Sequence, residues 1–330
     1  MSAEADAAEE IKPTKIKPTK IRLEASTYCQ LRCPTCPTTT GETHAGIGAG
    51  FLTFEDFKTL LDGSPWVEEI ELSNYGEIFL NPDLPKILEH ARTYGVRLTA
   101  RNGVNLNNAT DEMLEAVVKF GFEHLRCSLD GASNESYRQY RIRGNFDRVI
   151  ANIRKINAFK RKHGSNRPGL TWQFVVFGHN EHEITKAREM ARELDMEFHL
   201  KLNWDDSFSP VQDEDMVRRE IDAGVASRDE YKEKYGNQYT QYICHQLWDW
   251  PQVNWNGDIL GCCRNNWGSF GGNAFRDGLG ESLNNEQMRY ARDMLLGRQE
   301  PRDDIPCTTC RIYKNMRAAG QVLERPGAQS

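Results

Sequence analysis

The sequence predicts an α/β fold with a parallel sheet, and three observations carry that expectation. Short β-rich runs alternate with amphipathic helical stretches from Arg22 to about residue 202, the order that right-handed strand-helix-strand crossovers produce. Runs such as Trp172-Gln-Phe-Val-Val-Phe177 are apolar almost throughout, as strands covered on both faces are. A compact group of thiols directly follows the first run, at the kind of strand end where α/β proteins place their chemistry.

Composition narrows the class. A chain of 330 residues with 38% hydrophobic and 27% charged residues can bury a full core. Its net charge of -6 and the absence of a basic stripe argue against a nucleic-acid partner. No run approaches the roughly 18 apolar residues of a membrane span, and the N-terminus has no apolar signal-peptide core. A cytoplasmic protein without membrane association is therefore expected. Nine cysteines in such a chain point to a reducing compartment and to metal rather than disulfides. Eight of them fall in two groups, Cys29 to Cys36 and Cys244 to Cys310, which predicts two metal sites.

Taken in order, residues 1–21 hold an Ala/Glu-rich stretch and the tandem repeat Ile11-Lys-Pro-Thr-Lys-Ile16-Lys-Pro-Thr-Lys-Ile21, read as a flexible leader. Strands are expected over 22–27, 67–73, 96–101, 123–129, 171–177 and 197–202, all within a first domain at 22–205. Thr53 with Asp56 forms a near capping box for a helix whose inner face is Phe54, Phe57, Leu60 and Leu61, stopped at Gly63. Asp83 opens a helix carrying Leu84, Ile87, Leu88 and Ala91 that ends at Gly95. Thr110 opens one with Leu114, Val117 and Val118, ending at Gly121, and further helices are expected over 145–163 and 183–194. The polar segment 206–243, with helical character around 212–222 and 227–235, reads as a linker. Residues 244–318 read as a small second domain and 319–330 as a mobile tail.

The first thiol group is Cys29-Gln-Leu-Arg-Cys33-Pro-Thr-Cys36. Pro34 and Pro37 exclude a regular helix through it, so the thiols share a loop. Three thiolates leave a metal position open for a fourth ligand or a cosubstrate; a structural zinc loop is the alternative. The spacing resembles the signature of radical S-adenosylmethionine (SAM) enzymes. That resemblance implies that Cys29, Cys33 and Cys36 hold a 4Fe-4S cluster whose fourth iron is chelated by the amino and carboxylate groups of SAM. One electron from the cluster then cleaves SAM to methionine and a 5′-deoxyadenosyl radical, which takes a hydrogen atom from the substrate. It also implies that the six strands form a partial (β/α)6 TIM-type barrel.

Further motifs extend the resemblance. Leu72-Ser-Asn-Tyr-Gly76-Glu77 is similar to the family's Gly-Gly-Glu motif, which receives the SAM amino group, with Tyr75 in place of the first glycine. Arg101-Asn102-Gly103 is similar to Thr-Asn-Gly, and Ser128, in Cys127-Ser128-Leu129, stands where relatives reach the ribose of SAM. Either Arg141 or Arg143 suits the SAM carboxylate; Arg143-Gly144 matches the family pattern better. The expected cofactor-binding residues are thus Gly76, Glu77, Asn102, Ser128 and Arg143. Cys127, inside a core strand, is expected to be an inert thiol.

Cys244, Cys262, Cys307 and Cys310 can fill every position of a 4Fe-4S cluster and suit zinc equally. With Gly257-x4-Cys262, the arrangement resembles the auxiliary-cluster domains called twitch and SPASM. No cysteine follows Cys310, so one auxiliary cluster is expected, closer to twitch. Cys263 is then a spare thiol, a bystander or a donor of a hydrogen atom to a substrate radical, and His245 is an alternative ligand. A fully ligated second cluster accepts an electron, which favours a radical SAM oxidoreductase acting on a small polar molecule such as a sugar or aminocyclitol. Epimerisation, decarboxylation and peptide maturation are the alternatives within the family, and a non-catalytic zinc-binding interaction module is the alternative outside it. The short leader favours a small molecule over a peptide. Trp204, Asp205, Asp206, Trp248, Asp249 and Trp250 either line its pocket or pack. The resemblance implies a one-electron donor such as flavodoxin or ferredoxin.

Overall fold

The computed structural model describes residues 15–205 and 207–323. Eight strands make one sheet: β1 (Lys20–Leu23), β2 (Glu69–Glu71), β3 (Arg97–Val104), β4 (His124–Ser128), β5 (Gly169–Val176), β6 (Glu197–Leu202), β7 (Gln252–Val253) and β8 (Ile259–Gly261). Their order is β6-β5-β4-β3-β2-β1-β7-β8. Strands β1 to β6 pair in parallel with their sequence neighbours, which is the partial barrel. All six expected strands are present. The first is shifted towards the N-terminus, beginning at Lys20, and the third runs on to Val104.

Residue parity divides the barrel. Ile21, Leu23, Ile70, Leu98, Leu125 and Trp172 join helix residues such as Phe57, Leu60, Ile87, Leu114 and Ile153 in one buried core. Each such side chain contributes roughly 1.5–3 kcal/mol of burial free energy. The alternate positions Arg22, Glu24, Glu71, Thr99, Ser128 and Gln173 are also buried but polar. The strands therefore have one apolar face against the helices and one polar face inside the barrel.

Helices Phe54–Gly63, Leu84–Tyr94, Asp111–Lys119, Phe146–His163 and Ile184–Glu193 connect the strands. Thr53 and Thr110 cap as their sequences predict, accepting from the N–H groups of Asp56 and Met113; each such cap is worth about 1 kcal/mol. Asp83 does not cap its own helix: its carboxylate accepts the N–H of Phe54 at 3.1 Å and so joins two helices.

Three segments are more integrated than their composition predicts. The leader is anchored from Ile16 onwards, where Asn284 accepts the Ile16 N–H at 2.7 Å and donates to its carbonyl at 2.8 Å. Within 206–243, Val217 and Val225 are fully buried in the main core. At the C-terminus Leu323 is buried and donates its N–H to the Leu295 carbonyl. In each case a few apolar residues in a polar segment find the core. The leader's residues 1–14, the tail's residues 324–330 and Asp206 lie outside the described residues.

The C-terminal region is not a separate layer either. β7 lies parallel to β1, with Arg22 opposite Gln252 and Leu23 opposite Val253, and β8 folds back antiparallel on β7. This hairpin covers the edge of β1 that the barrel strands leave open, satisfying backbone groups that would otherwise face solvent. It also carries Cys262 and Cys263 to the barrel, directly after β8.

Candidate active site

The cysteine loop begins just beyond β1 and ends where Pro37 opens the short helix Pro37–Thr40. Cys33 is buried in a small apolar cluster with Leu31, Tyr140, Val175 and Phe177, against which Cys29 and Cys36 pack. Nitrogen donors reach two of the sulfurs: the Asn105 amide is 3.7 Å from Cys29 Sγ, and Arg141 Nη1 is 3.6 Å from Cys33 Sγ. Burial pushes the Cys29 thiol up to about 12 and raises that of Cys33 as well. Without metal these sulfurs stay protonated, and a bound cation is what makes them thiolates.

The loop forms one wall of a cavity of about 520 Å3, which Gly76, Glu77, Asn102, Ser128 and Arg141 also line. Gly76 is required by space. A Cβ there would lie 2.1 Å from the Ser26 carbonyl oxygen and 2.7 Å from that of Tyr28. Two buried carboxylates hold the surrounding backbone. Glu24 accepts from the N–H groups of Tyr75 and Gly76 at 3.1 and 3.4 Å. Glu71 accepts from those of Arg101 and Asn102, and from the Thr99 hydroxyl. Burial raises Glu24 to about 8 despite these bonds.

Glu77, expected beside the SAM amino group, is engaged by backbone in this structure. Its oxygens accept the N–H groups of Asn105 at 2.6 Å and Phe79 at 3.2 Å, and burial raises it to about 7. It ties the second strand's end to Asn105, and thereby to Cys29.

Asn102 sits in a bulge. β3 pairs Ala100 with Leu125 and then Val104 with Cys127, so residues 101–103 loop out between them. Gly103 has φ +124, and a Cβ there would lie 2.5 Å from Ser128 Oγ. The bulge lets Asn102 donate to Asn74 Oδ1 at 2.7 Å. Asn74 in turn donates to the Cys263 carbonyl at 2.9 Å, joining the C-terminal region to the barrel mouth.

Geometry places the two candidate arginines differently. Arg143 has φ 72, is exposed and lines no part of this cavity. The left-handed turn at Arg143 carries its side chain outwards and leaves Arg141 inside. Arg141 pairs with the fully buried Asp130 through Nη2 and, at 2.7 Å, through Nε.

Cys244, Cys262, Cys307 and Cys310 line a second, small hollow with apolar walls that include Leu247, Phe270, Leu295 and Tyr313. Burial raises the Cys244 thiol to about 12, and those of Cys262 and Cys307 are pushed up too. Among the described residues, no three His, Cys, Asp or Glu side chains close on a point as one metal ion requires. The four thiols instead surround a shared space. Cys263 lines the 520 Å3 cavity and not this hollow, while His245 lines neither. Cys127 is fully buried in the core, and Trp248 is buried there too. Trp250 donates to the Ile21 carbonyl, and Asp249 is exposed. Of the aromatic residues considered, Trp204 alone reaches the cavity; Asp205 lines a neighbouring one.

Residues 23–191 match the model of the radical SAM superfamily, and residues 244–311 match the SPASM model, an iron-sulfur cluster-binding domain. The chain belongs to the radical SAM superfamily and carries a C-terminal SPASM domain. It is 29% identical over 179 residues to the AdoMet-dependent heme synthase of Methanosarcina barkeri, covering 53% of this chain and 47% of that one. It is 29% identical over 177 residues to a probable GTP 3',8-cyclase of Metallosphaera sedula, covering 51% and 52% respectively. The chain thus spans about half the length of each. The fold resembles that of Streptococcus suis SuiB bound to S-adenosylmethionine, with a TM-score of 0.63 and 14% identity over 90% of this chain and 71% of that one.

The cofactors of this enzyme are a SAM-binding 4Fe-4S cluster, SAM, and auxiliary iron-sulfur centre chemistry in the SPASM domain. The two thiol sets fit them: one loop of three thiols beside a cavity, and four thiols around a closed hollow. Sequence reasoning missed Asn74, Asn105, Gln173, Lys201 and Arg264, all of which line the cavity. Lys201 and Gln173 carry a signal in hindsight, as polar residues at inward-facing strand positions.

Proposed function

We propose that this enzyme is a radical SAM oxidoreductase that dehydrogenates a small molecule, using one auxiliary 4Fe-4S cluster as electron acceptor. The observation that supports it most is the adjacent pair Cys262-Cys263: Cys262 lines the four-thiol hollow and Cys263 the large cavity. One peptide unit separates the two spaces, and Trp267 lines both. When bound, the first cluster and SAM supply a hydrogen-abstracting radical, and the auxiliary cluster supplies the acceptor for the remaining electron.

The chain's own residues hold, orient and shield. Cys29, Cys33 and Cys36 ligate the first cluster, and Cys244, Cys262, Cys307 and Cys310 the second. The Tyr75-Gly76-Glu77 backbone, held by the Glu24 carboxylate and the Tyr28 carbonyl, receives the SAM amino group. Asn102 and Ser128 face the ribose, and Arg141 takes the SAM carboxylate in place of Arg143. Leu31, Tyr140, Val175 and Phe177 exclude water from the cysteine loop. The reductant is a one-electron donor such as flavodoxin or ferredoxin.

A second reading, epimerisation, is favoured by one observation, the Cys263 thiol in the cavity wall. Turnover in deuterated water separates the two. Oxidation leaves no solvent deuterium at the reacting carbon, whereas a thiol donor places one there and Cys263→Ser abolishes it. The proposal as a whole is tested with anaerobically reconstituted protein. Replacing Cys29, Cys33 and Cys36 by alanine removes 5′-deoxyadenosine formation, while Cys310→Ala removes product formation and keeps SAM cleavage. Unchanged product formation by Cys310→Ala would refute the acceptor role.

A further inference from the structure

The outward side of the cysteine loop is a surface that the proposed chemistry leaves unused. Arg32 stands between Cys29 and Cys33 and is exposed. Its backbone N–H donates to the Ile142 carbonyl at 3.0 Å, and its Nη1 donates to the carbonyls of Cys29 and Leu31, both at 3.3 Å. The cysteine loop and the turn at 141–144 are therefore tied together. Neighbouring residues of that turn have opposite placements. Arg141 lies inside, 3.6 Å from Cys33 Sγ and paired with Asp130, whereas Ile142 is 41% exposed. From Ile142 to Cys33 the path is one hydrogen bond, to the Arg32 N–H, and one peptide unit.

Exposed arginines accompany Ile142: Arg32, Arg143 beside it in the chain, and Arg138 on the helix Asn134–Tyr140 that leads into the turn. None of the three makes an ion pair among the described residues. Arg143 has φ 72, a conformation that glycine adopts without strain and arginine does not. The turn thus holds a guanidinium outwards against a backbone preference. The carboxylates on the same stretches lie apart from it. Asn134 donates to Asp147 and accepts the Phe146 N–H, which places Asp147 with Glu135 at the N-terminal end of that helix, about 10 Å from the end where the turn begins. Glu42 lies beyond Cys36 in the chain and accepts from the Thr40 hydroxyl. An exposed apolar residue among unpaired arginines is the composition of an interface centre.

We propose that this surface, Ile142 with Arg32, Arg138 and Arg143, docks the electron donor of the first cluster, a small acidic flavoprotein. The inference rests on the reading of Cys29, Cys33 and Cys36 as ligands of that cluster. Electron transfer weakens steeply with distance, and a partner seated on Ile142 is within one residue of Cys33. Carboxylates of the partner pair with the three guanidinium groups, and the apolar dimethylbenzene edge of a flavin meets Ile142. Encounters between electron carriers are small, burying under about 1,200 Å2 in total, and are steered by charge, so these four side chains are enough to direct one. The partner's reduced flavin gives up one electron, which enters the first cluster, and no bond in this chain forms or breaks.

The test uses anaerobically reconstituted holoenzyme with flavodoxin as the probe and dithionite as the donor that needs no docking. Release of 5′-deoxyadenosine is measured with each reductant, and affinity for oxidised flavodoxin by calorimetry. Arg138→Glu combined with Arg143→Glu is expected to weaken flavodoxin binding and slow flavodoxin-driven release about tenfold at low salt, with iron content, SAM affinity and dithionite-driven release unchanged. High salt should narrow that gap. Arg143→Gly suits the backbone of the turn, removes the guanidinium without disturbing the fold, and is expected to weaken binding about threefold. Flavodoxin affinity and flavodoxin-driven release indifferent to these substitutions overturn the inference and leave the proposed function standing. Release driven faster by a ferredoxin, and slowed by the same substitutions, overturns the flavin assignment. Protein that holds its iron but cleaves no SAM with dithionite refutes the proposed function itself.

Discussion

Gly76→Ala tests the geometry of the SAM site with the fewest assumptions. The added methyl carbon would sit 2.1 Å from the Ser26 carbonyl oxygen, 2.6 Å from its carbonyl carbon and 2.7 Å from the Tyr28 carbonyl oxygen. Unbonded carbon contacts are optimal at roughly 3.5–4.0 Å, so the backbone must open by about 1 Å. All three obstacles are backbone, so no side chain can swing aside. Ser26 and Tyr28 lead directly into Cys29, and Tyr28 also accepts the Glu77 N–H at 2.8 Å. The shift therefore moves Cys29, the first proposed cluster ligand, relative to the turn proposed to bind SAM. Overpacking of this kind costs about 1–3 kcal/mol of stability, and a misplacement of about 1 Å at a reacting centre costs about 100-fold in rate. The assay is 5′-deoxyadenosine release after dithionite reduction, with SAM affinity by equilibrium dialysis and iron content as a control. A Gly76→Ala protein with full iron, unchanged SAM affinity and undiminished SAM cleavage would refute the reasoning.

Other expectations follow from the same contacts. Arg141→Ala is expected to weaken SAM binding at least tenfold and Arg143→Ala less than twofold, both by equilibrium dialysis. Asp130→Asn leaves Arg141 buried without its counter-charge and should lower unfolding free energy in urea by about 3–5 kcal/mol. Glu24, raised to about 8, binds a proton in the folded chain that the unfolded chain has already lost above its ordinary carboxylate pKa. Stability therefore falls as pH rises towards 8, and Glu24→Gln should flatten that slope when urea midpoints are compared at pH 5.5 and 8. Lys201 is held down to about 8 by burial, Arg228 and Arg126. The folded chain loses this proton at a pH where the unfolded chain still holds it, so unfolding free energy in urea should rise as pH goes from 8 towards 10, and Lys201→Gln should flatten that rise.

What the sequence revealed depended on how local each feature is. The ligands proposed for the first cluster lie within eight residues, Cys29 to Cys36, so their spacing alone picks them out. The six barrel strands were legible because their outward residues, such as Leu125 and Trp172, must be apolar to meet the helices. That Arg141 lines the cavity and Arg143 does not was hidden, because sequence does not announce the left-handed turn at Arg143. β7 was hidden because it is two residues long and gains its identity only from pairing with β1. The polar barrel interior was visible as Arg22-x-Glu24 and His124-x-Arg126-x-Ser128, a period of two that the apolar alternates masked. The Gly257-x4-Cys262 spacing already separated Cys262 from Cys263 in the sequence, but that the two thiols line different cavities has no local signal.

That separation is the account's central claim, and the iron content of single variants tests it most directly. After anaerobic reconstitution, the parent enzyme is predicted to hold about eight irons, as two 4Fe-4S clusters require, and to release 5′-deoxyadenosine on reduction. Cys262→Ala is predicted to fall to about four irons with SAM cleavage retained, and Cys263→Ser to keep about eight. A Cys263→Ser protein that loses four irons while Cys262→Ala keeps them would contradict the account.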